Sequence, residues 1–436
     1  MLTSESVGVI GIVVMIALLM LRMPIGIAML LVGFVGFAYL NGWQLALLAL
    51  GTAPYSYSAV YDLAVIPLFV LMGNCAGASG MSRELFNAAY AWIGHWRGGL
   101  ASATIAACAG FAAVSGSSVA SAVTMGRVCL PEMERYKYDP GLATGTVAAG
   151  GTLGILIPPS TAFVIYGLLT EQSIGRLLLA GFLPGILLAT LFILTITIWT
   201  RLRPELGPPG PVATREQRLR TLGQSGPMLV IVAISIGGIY LGVFTPSEAA
   251  AIGAFLAFAY AIYRRKLGAD TLTAILLDTV KTTSFVFLIL IGAFVFGPFL
   301  ALSGLPEQLA QAIAGLPVSR MVILIIMMAI YVVLGMFLEG FSILVLTMPI
   351  VIPIMAKLNF DLIWFGVLMV IVLEMGLISP PVGINVFVVK GLVPDVPMGK
   401  IFKGILPFWI AMIVCLALII IFPDIALLIP NSMIGK

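Results

Sequence analysis

Gly150-Gly151-Thr152-Leu153-Gly154-Ile155-Leu156-Ile157-Pro158-Pro159-Ser160 and its later echo, Glu374-Met375-Gly376-Leu377-Ile378-Ser379-Pro380-Pro381-Val382-Gly383-Ile384-Asn385, decide how this chain is read. Each is an apolar run interrupted by a Pro-Pro pair, with polar residues beside the break. Proline has no N–H and its ring clashes with the preceding turn, so two in succession break a helix. Inside hydrocarbon the backbone groups freed by a break are costly unless something pairs with them. Such a break survives only when buried in protein or beside a watery cavity. Two breaks at matching places in two halves point to a solute site near the bilayer midplane.

The composition agrees with a membrane setting. Of 436 residues, 61% are hydrophobic and 9% charged, where a soluble domain carries about 25% charged residues. The expectation is an all-α polytopic membrane protein with about 11 spans at ~20 residues each. The net charge of +4 comes from loop Arg and Lys. It carries topology information and does not indicate nucleic-acid binding. No basic segment precedes the first apolar run, which reads as a retained span. Cys75, Cys108, Cys129 and Cys415 are scattered through apolar segments and read as packing residues. With His95 as the only histidine, no metal centre or cofactor is expected beyond a coupling ion.

An internal repeat follows from the two breaks. Pro158 and Pro380 stand 222 positions apart, as do Gly154 and Gly376, and Pro24 and Pro246. Phe34-Val35-Gly36-Phe37-Ala38-Tyr39 falls on Phe255-Leu256-Ala257-Phe258-Ala259-Tyr260 at 221. The reading is repeat one at 1–200, a basic cytoplasmic linker at 201–226, and repeat two at 227–430. The linker holds Arg201, Arg203, Arg215, Arg218 and Arg220, and the second pair of spans ends at Arg264-Arg265-Lys266. By the positive-inside rule repeat two starts inside. Arg22 marks the first turn of repeat one, where repeat two has the uncharged Gly242-Val243-Phe244-Thr245. The repeats are therefore expected to have inverted topology.

Asp62 to Gly80 reads as a span with a kink at Pro67. Ser82 to Trp96 reads as an amphipathic surface helix capped by Ser82, with its counterpart at Pro306 to Leu316. Residues 99–130 have basic flanks at both ends and small polar residues, Ser115-Gly116-Ser117-Ser118, in the middle. This predicts a re-entrant hairpin with its tip there. The second hairpin spans 321–357, and the broken helices are 140–170 and 362–392.

Hairpin tips and broken helices would meet at the midplane. Exposed carbonyls and Ser/Thr hydroxyls suit Na⁺, while N-terminal N–H groups of the broken helices favour an anion. The bland alternatives are small-residue helix packing for Ser115–Ser118 and plain kinks for the Pro-Pro pairs. Glu374, inside an apolar run, is either functional or structurally hydrogen-bonded. Glu339 at the second tip is read as having a local role ahead of ion ligation, and Asn385 either meets solute or holds backbone.

At these residues the chain resembles the large permease (M) subunit of tripartite ATP-independent periplasmic (TRAP) transporters, the DctM-like family, over nearly its whole length. The resemblance implies a bacterial or archaeal inner-membrane protein and Na⁺-driven uptake of a carboxylate-bearing or sialic-acid-like solute. It also implies an elevator motion, a small four-helix membrane subunit and a periplasmic solute-binding protein as partners. Carried over by position, one Na⁺ site lies between Ser115, Gly116, Ser118 and Ile157, Pro158. A second lies between Glu339, Gly340, Ser342 and Ser379, Pro380, while Ser160, Thr161 and Asn385 face the solute. The second tip is poorer in serine than the first, so backbone carbonyls are expected to dominate there. The alternative is a stand-alone Na⁺/dicarboxylate symporter of related architecture. An intramembrane enzyme would need a histidine cluster, paired intramembrane aspartates or a nucleophile motif, and the sequence offers none.

Overall fold

The structure, a computed structural model, describes residues 3–433, so the first two positions of repeat one lie outside it. Among the described residues there are helices and turns but no strand, in agreement with the all-α expectation. The first half runs through α1 (Ser4–Met20), α2 (Ile25–Asn41), α3 (Trp43–Ser58), a 3-10 turn at Tyr61–Ala64, α4 (Val65–Ser79) and the short α5 (Met81–Ile93). Its hairpin is α6 (Gly99–Ser115) and α7 (Ser118–Arg135), and its broken helix is α8 (Pro140–Leu156) and α9 (Thr161–Thr170). Helices α10 (Ile174–Ala180) and α11 (Phe182–Leu202) close this half.

The second half follows the same order with α12 (Arg215–Tyr240), α13 (Pro246–Tyr263), α14 (Ala269–Ser303) and the short α15 (Leu305–Ala314). The hairpin α16 (Arg320–Gly335) and α17 (Gly340–Lys357) comes next, then α18 (Leu362–Leu377) and α19 (Ile384–Leu392). Helices α20 (Met398–Ile421) and α21 (Asp424–Ser432) end it. Among the described residues, seven helices are long and apolar enough to cross a membrane, or eight if α8 and α9, bent by 41°, form one broken span. Shorter apolar helices, α1, α2, α6, α16 and α18, have 16 or 17 residues each.

Local chemistry sets these boundaries. Each broken helix starts at an aspartate cap. Asp139 accepts from the Gly141 and Leu142 amides at 2.8 and 3.2 Å, and Asp361 from Ile363 and Trp364 at 2.8 and 2.9 Å. The two caps stand 222 positions apart, like the breaks. Each satisfies N–H groups that a helix start otherwise leaves orphaned. Helices α12 and α13 open on capping boxes, Thr214 with Gln217 and Thr245 with Glu248.

Three expectations need correction. The linker at 201–226 is not all connector, because the Thr214 box starts α12 at Arg215. Pro67 lies in the first turn of α4, where no intrahelical donor is required, so it does not kink the span. The interruption falls at Ala59-Val60 instead, between α3 and the 3-10 turn. Ser82 does not cap the surface helix; Gly80, left-handed at φ 90°, precedes it, and Ser79 Oγ accepts from the Met81 amide at 3.4 Å.

Helix α14 packs along α2 and α4, and α13 against α4. A second group forms where α6, α7 and α8 pack on one another, with α20 on α8, α16 on α18, and α19 on α7 and α8. The short helices lie between the groups: α5 touches α12 and α6, and α15 touches α14 and α17.

Candidate functional site

The first tip and the first break are in direct contact. Helix α6 ends at Ser115 because Gly116 turns left-handed at φ 64°, a conformation open to a residue without Cβ. Ser115 Oγ donates to the Ser117 carbonyl at 3.3 Å, and Ser117 Oγ caps α7 through the Ala120 amide at 3.3 Å. Across from the tip, α8 ends at Ile157, the Pro158-Pro159 bond is cis, and Ser160 caps α9 through the Phe163 amide at 3.3 Å. Thr161 Oγ1 donates to the Gly116 carbonyl at 3.0 Å. A Cβ on Gly116 would stand 3.3 Å from the Pro159 carbonyl oxygen. Ser115, Gly116, Ser118, Ile157, Pro158, Ser160 and Thr161 are all buried.

The second set is assembled differently. Glu339 caps α17, accepting from the Ser342 amide at 3.3 Å and from Ser342 Oγ at 3.4 Å. Gly340 faces Leu373, 3.8 Å from its added Cβ, and no hydrogen bond among the described residues joins 339–342 to Ser379 or Pro380. The contact runs through Gly335 and Gly376, where a Cβ on Gly335 would stand 2.9 Å from the Gly376 Cα. Ser379 Oγ donates to the Met375 carbonyl at 2.6 Å and accepts from Trp409 Nε1 at 3.0 Å. After the cis Pro380-Pro381 bond, Gly383, left-handed at φ 64°, leads into α19. Pro380, Pro381 and Val382 are exposed.

Among the hydrogen bonds that cross between the halves, one lies at the candidate site. Ser118 Oγ donates to Glu374 Oε1 at 2.6 Å, while Oε2 of the same carboxylate has no hydrogen-bond partner. Asn385 is fully buried and neither atom of its amide is hydrogen-bonded, so it holds no backbone in this conformation.

A cavity of about 860 Å³ reaches the first tip. Ser115, Gly116, Ser117, Thr161 and Phe341 line its deep end. Ser117, Ala120, Thr124 and Arg127 form one wall at helical spacing along α7, facing Asn74 of α4 and Asp278 and Thr282 of α14. Its mouth holds Arg83, Arg264 and Lys266 with Glu84. Arg264 is bound to Glu84 at 2.6 Å, and Tyr260 donates to the same carboxylate at 3.1 Å. A second cavity of about 620 Å³ lies between α9, α14, α15 and α17 and ends at Met348, Pro349, Ile352 and Pro353, short of the second tip.

Sequence reasoning passed over Asn74, although an amide inside the apolar run of α4 was a usable signal; its Nδ2 donates to Thr279 Oγ1 at 3.1 Å. Arg127 belongs to the basic flank of the first hairpin and gave no sign of lining a cavity, and Trp409 carried no signal at all.

Comparison with known proteins places the chain. A family model described as the DctM component of the tripartite ATP-independent periplasmic transporter matches residues 12–425. The chain is 35% identical over 378 residues to the C4-dicarboxylate TRAP transporter large permease protein DctM of Pseudomonas aeruginosa, covering 86% of this chain and 88% of that one. It is 33% identical over 380 residues to the sialic acid TRAP transporter large permease protein SiaM of Vibrio cholerae, covering 86% and 87%. In fold it is similar to the YdaH transporter of Alcanivorax borkumensis, with a TM-score of 0.63 at 15% identity over 91% of this chain and 90% of the other.

Proposed function

Since the chain belongs to the DctM component family of tripartite ATP-independent periplasmic transporters, large permeases of the inner membrane, we propose that it performs Na⁺-coupled import of an organic anion. The solute is a carboxylate or a sialic-acid-like acid, handed over by a periplasmic binding protein. A small four-helix membrane subunit completes the assembly. The observation that carries this reading is the 860 Å³ cavity, which leads from a basic mouth to the buried Ser115–Ser117 tip and Thr161. Its deep end meets Thr161 at the N-terminus of α9, the end of a helix whose dipole favours a negative charge.

In this reading one Na⁺ sits between Ser115, Gly116, Ser118 and Ile157, Pro158, and a second between Glu339, Gly340, Ser342 and Ser379, Pro380. The contact of first tip and first break supports the first site directly. Ser160, Thr161 and Asn385 meet the solute; the unpaired amide of Asn385 supports its part. Hairpins and broken helices travel as one block in an elevator motion, with the repeats inverted and α5 and α15 as its arms. Each Na⁺ moving inward gains about 2.3 kcal/mol per 100 mV. A monoanion carried with two Na⁺ is therefore driven by the potential, and a dianion by the Na⁺ gradient alone.

The test is uptake of labelled C4-dicarboxylates, keto acids and sialic acid into proteoliposomes, with and without inward Na⁺, binding protein and small subunit. Uptake that needs Na⁺ and both partners is the expected result. Na⁺-driven uptake by the chain alone favours the stand-alone symporter, and uptake indifferent to Na⁺ sinks both ion sites.

A further inference from the structure

Glu374 is 2% exposed in α18, with one oxygen taken by Ser118 and the other unpartnered. Beside it lies a cavity of about 10 Å³ whose other walls are Ile155, Ala162, Phe341, Leu373 and a second carboxylate, Glu339. That is room for roughly one particle of about the size of a water molecule. Neither carboxylate has an ion pair among the described residues.

The helices packed on α18 supply no cation at this depth. Arg176, Arg320, Lys357, Lys390, Lys400 and Lys403, with Asp424, all stand within the first or last two turns of their helices. Lys357 and Lys400 are paired with Glu307 and Asp139, and Lys390 with the Pro394 and Val396 carbonyls. The buried tyrosines nearby are also engaged, Tyr166 with the Leu362 carbonyl and Tyr331 with Thr347. Glu374, buried and without an ion pair among the described residues, and the half-buried Glu339 beside it share one small space, so keeping both ionised calls for a counter-charge between them. Removing a charge from water costs several kcal/mol that only pairing or neutralisation recovers.

We propose that this cavity seats one exchangeable monovalent cation, Na⁺ or H⁺, held by Glu374 and Glu339 with the Ser118 hydroxyl oxygen. The seat is additional to the ion positions at the two breaks. Glu339 serves two of them, its backbone at the second tip and its carboxylate here. The ligands come from α7 of the first half and from α17 and α18 of the second, so occupancy fastens the halves to each other during transport. The inference rests on the transport reading above, which makes a travelling cation useful.

The experiment compares the wild-type chain with Glu374→Gln and Glu339→Gln, each reconstituted with the small subunit and binding protein. Bound radioactive Na⁺ per chain is counted by equilibrium dialysis, and proton movement per solute is read with a pH dye in the vesicle lumen. Loss of one Na⁺ per chain in Glu374→Gln identifies the cation as Na⁺. An unchanged Na⁺ count with loss of one proton moved per solute identifies it as H⁺. Unchanged counts of both, with uptake intact, overturn the seat and leave Glu374 a structural hydrogen-bonding group. If Glu374→Gln does not fold, Glu339→Gln is read by the same criteria. A wild-type chain that binds no Na⁺ and ignores it in uptake overturns the Na⁺-coupled reading instead, and the proton comparison still judges the seat.

Discussion

The two Pro-Pro breaks share a motif and an aspartate-capped helix, yet their surroundings differ. Break one is buried from Ile157 to Thr161 and its tip is hydrogen-bonded to it through Thr161 and Gly116. Break two exposes Pro380 to Val382 and meets its hairpin through Gly335 and Gly376. The cavities differ in the same sense: the larger reaches the first tip, and the smaller stops at Met348, halfway along α17. The same local grammar therefore yields two environments, fixed by what the rest of the chain places against each break. Under the proposed elevator motion, the difference is that of one carrier open on one side.

The largest effect expected is in thiol accessibility. The native cysteines are all fully buried, so background labelling is low. Thr124 lines the first cavity, whereas Leu346, 222 positions on, does not line the second. In the conformation seen here, an aqueous maleimide modifies Thr124→Cys rapidly from the side bearing Arg264 and Lys266, and Leu346→Cys slowly from the other. Conditions that drive the carrier to its opposite state reverse the order. Equal rates at both positions under all conditions would break the comparison.

Next come the close approaches. A Cβ on Gly154 would stand 2.5 Å from the Ser117 carbonyl oxygen, and one on Gly376 2.5 Å from the Gly335 Cα. In both cases the obstacle is backbone, which cannot rotate away. Gly154→Val and Gly376→Val should each cost about 1–3 kcal/mol or more through overpacking, read as a lowered Tm in detergent. Gly51→Ala, with nothing within 4 Å of its new Cβ, is the control and should be neutral or slightly stabilising. A harmless Gly376→Val would show that the second tip and α18 are not packed as seen here.

The two short helices are tied in different ways, and the ties differ in strength. Glu84 is 8% exposed and binds both Arg264 and Tyr260. Arg264 is 41% exposed, which screens the pair, so Glu84→Gln should cost about 1–2 kcal/mol. Glu307 pairs with Lys357 at the surface, and this hydrogen bond holds its carboxyl below the usual range. A depressed folded-state pKa stabilises above the unfolded value and loses that contribution as pH falls through the folded one. Glu307→Gln should thus give a smaller Tm shift than Glu84→Gln, constant at neutral pH and vanishing in acid. A larger shift for Glu307→Gln would reverse the ranking of the two ties.

Much of the fold was legible because its strongest determinants are local. Pro158-Pro159 and Pro380-Pro381 break helices whatever surrounds them, and the α8, α9, α18 and α19 bounds fall within a residue or so of the sequence reading. Ser82 was misjudged because serine is a good cap in isolation, while the left-handed Gly80 and the Ser79 hydroxyl settle that helix start. The start of α12 inside a basic stretch was hidden because charge density, which signals a loop beside a membrane, does not prevent a helix. The Ser118–Glu374 bond spans 256 positions, and nothing periodic in the sequence encodes such a pairing. The candidate site was readable as a set of polar residues, but the difference between its halves resides in packing.

The smallest effect expected separates the halves most finely. Trp409 Nε1 donates to Ser379 Oγ, which in turn donates to the Met375 carbonyl at the end of α18. The first half has no tryptophan at its break; there Thr161 binds the tip backbone instead. Trp409→Phe keeps the ring's apolar bulk in large part and removes one donor, so stability should fall by about 1 kcal/mol. Ser379 keeps its bond to Met375, and maximal uptake should change little, while the Na⁺ concentration for half-maximal uptake rises if Ser379 ligates Na⁺. Thr161→Val removes a donor between tip and break and should lower maximal uptake more than it lowers Tm. If Trp409→Phe leaves the Na⁺ dependence unchanged, Ser379 is a helix-end group and the second ion site is built of backbone carbonyls alone.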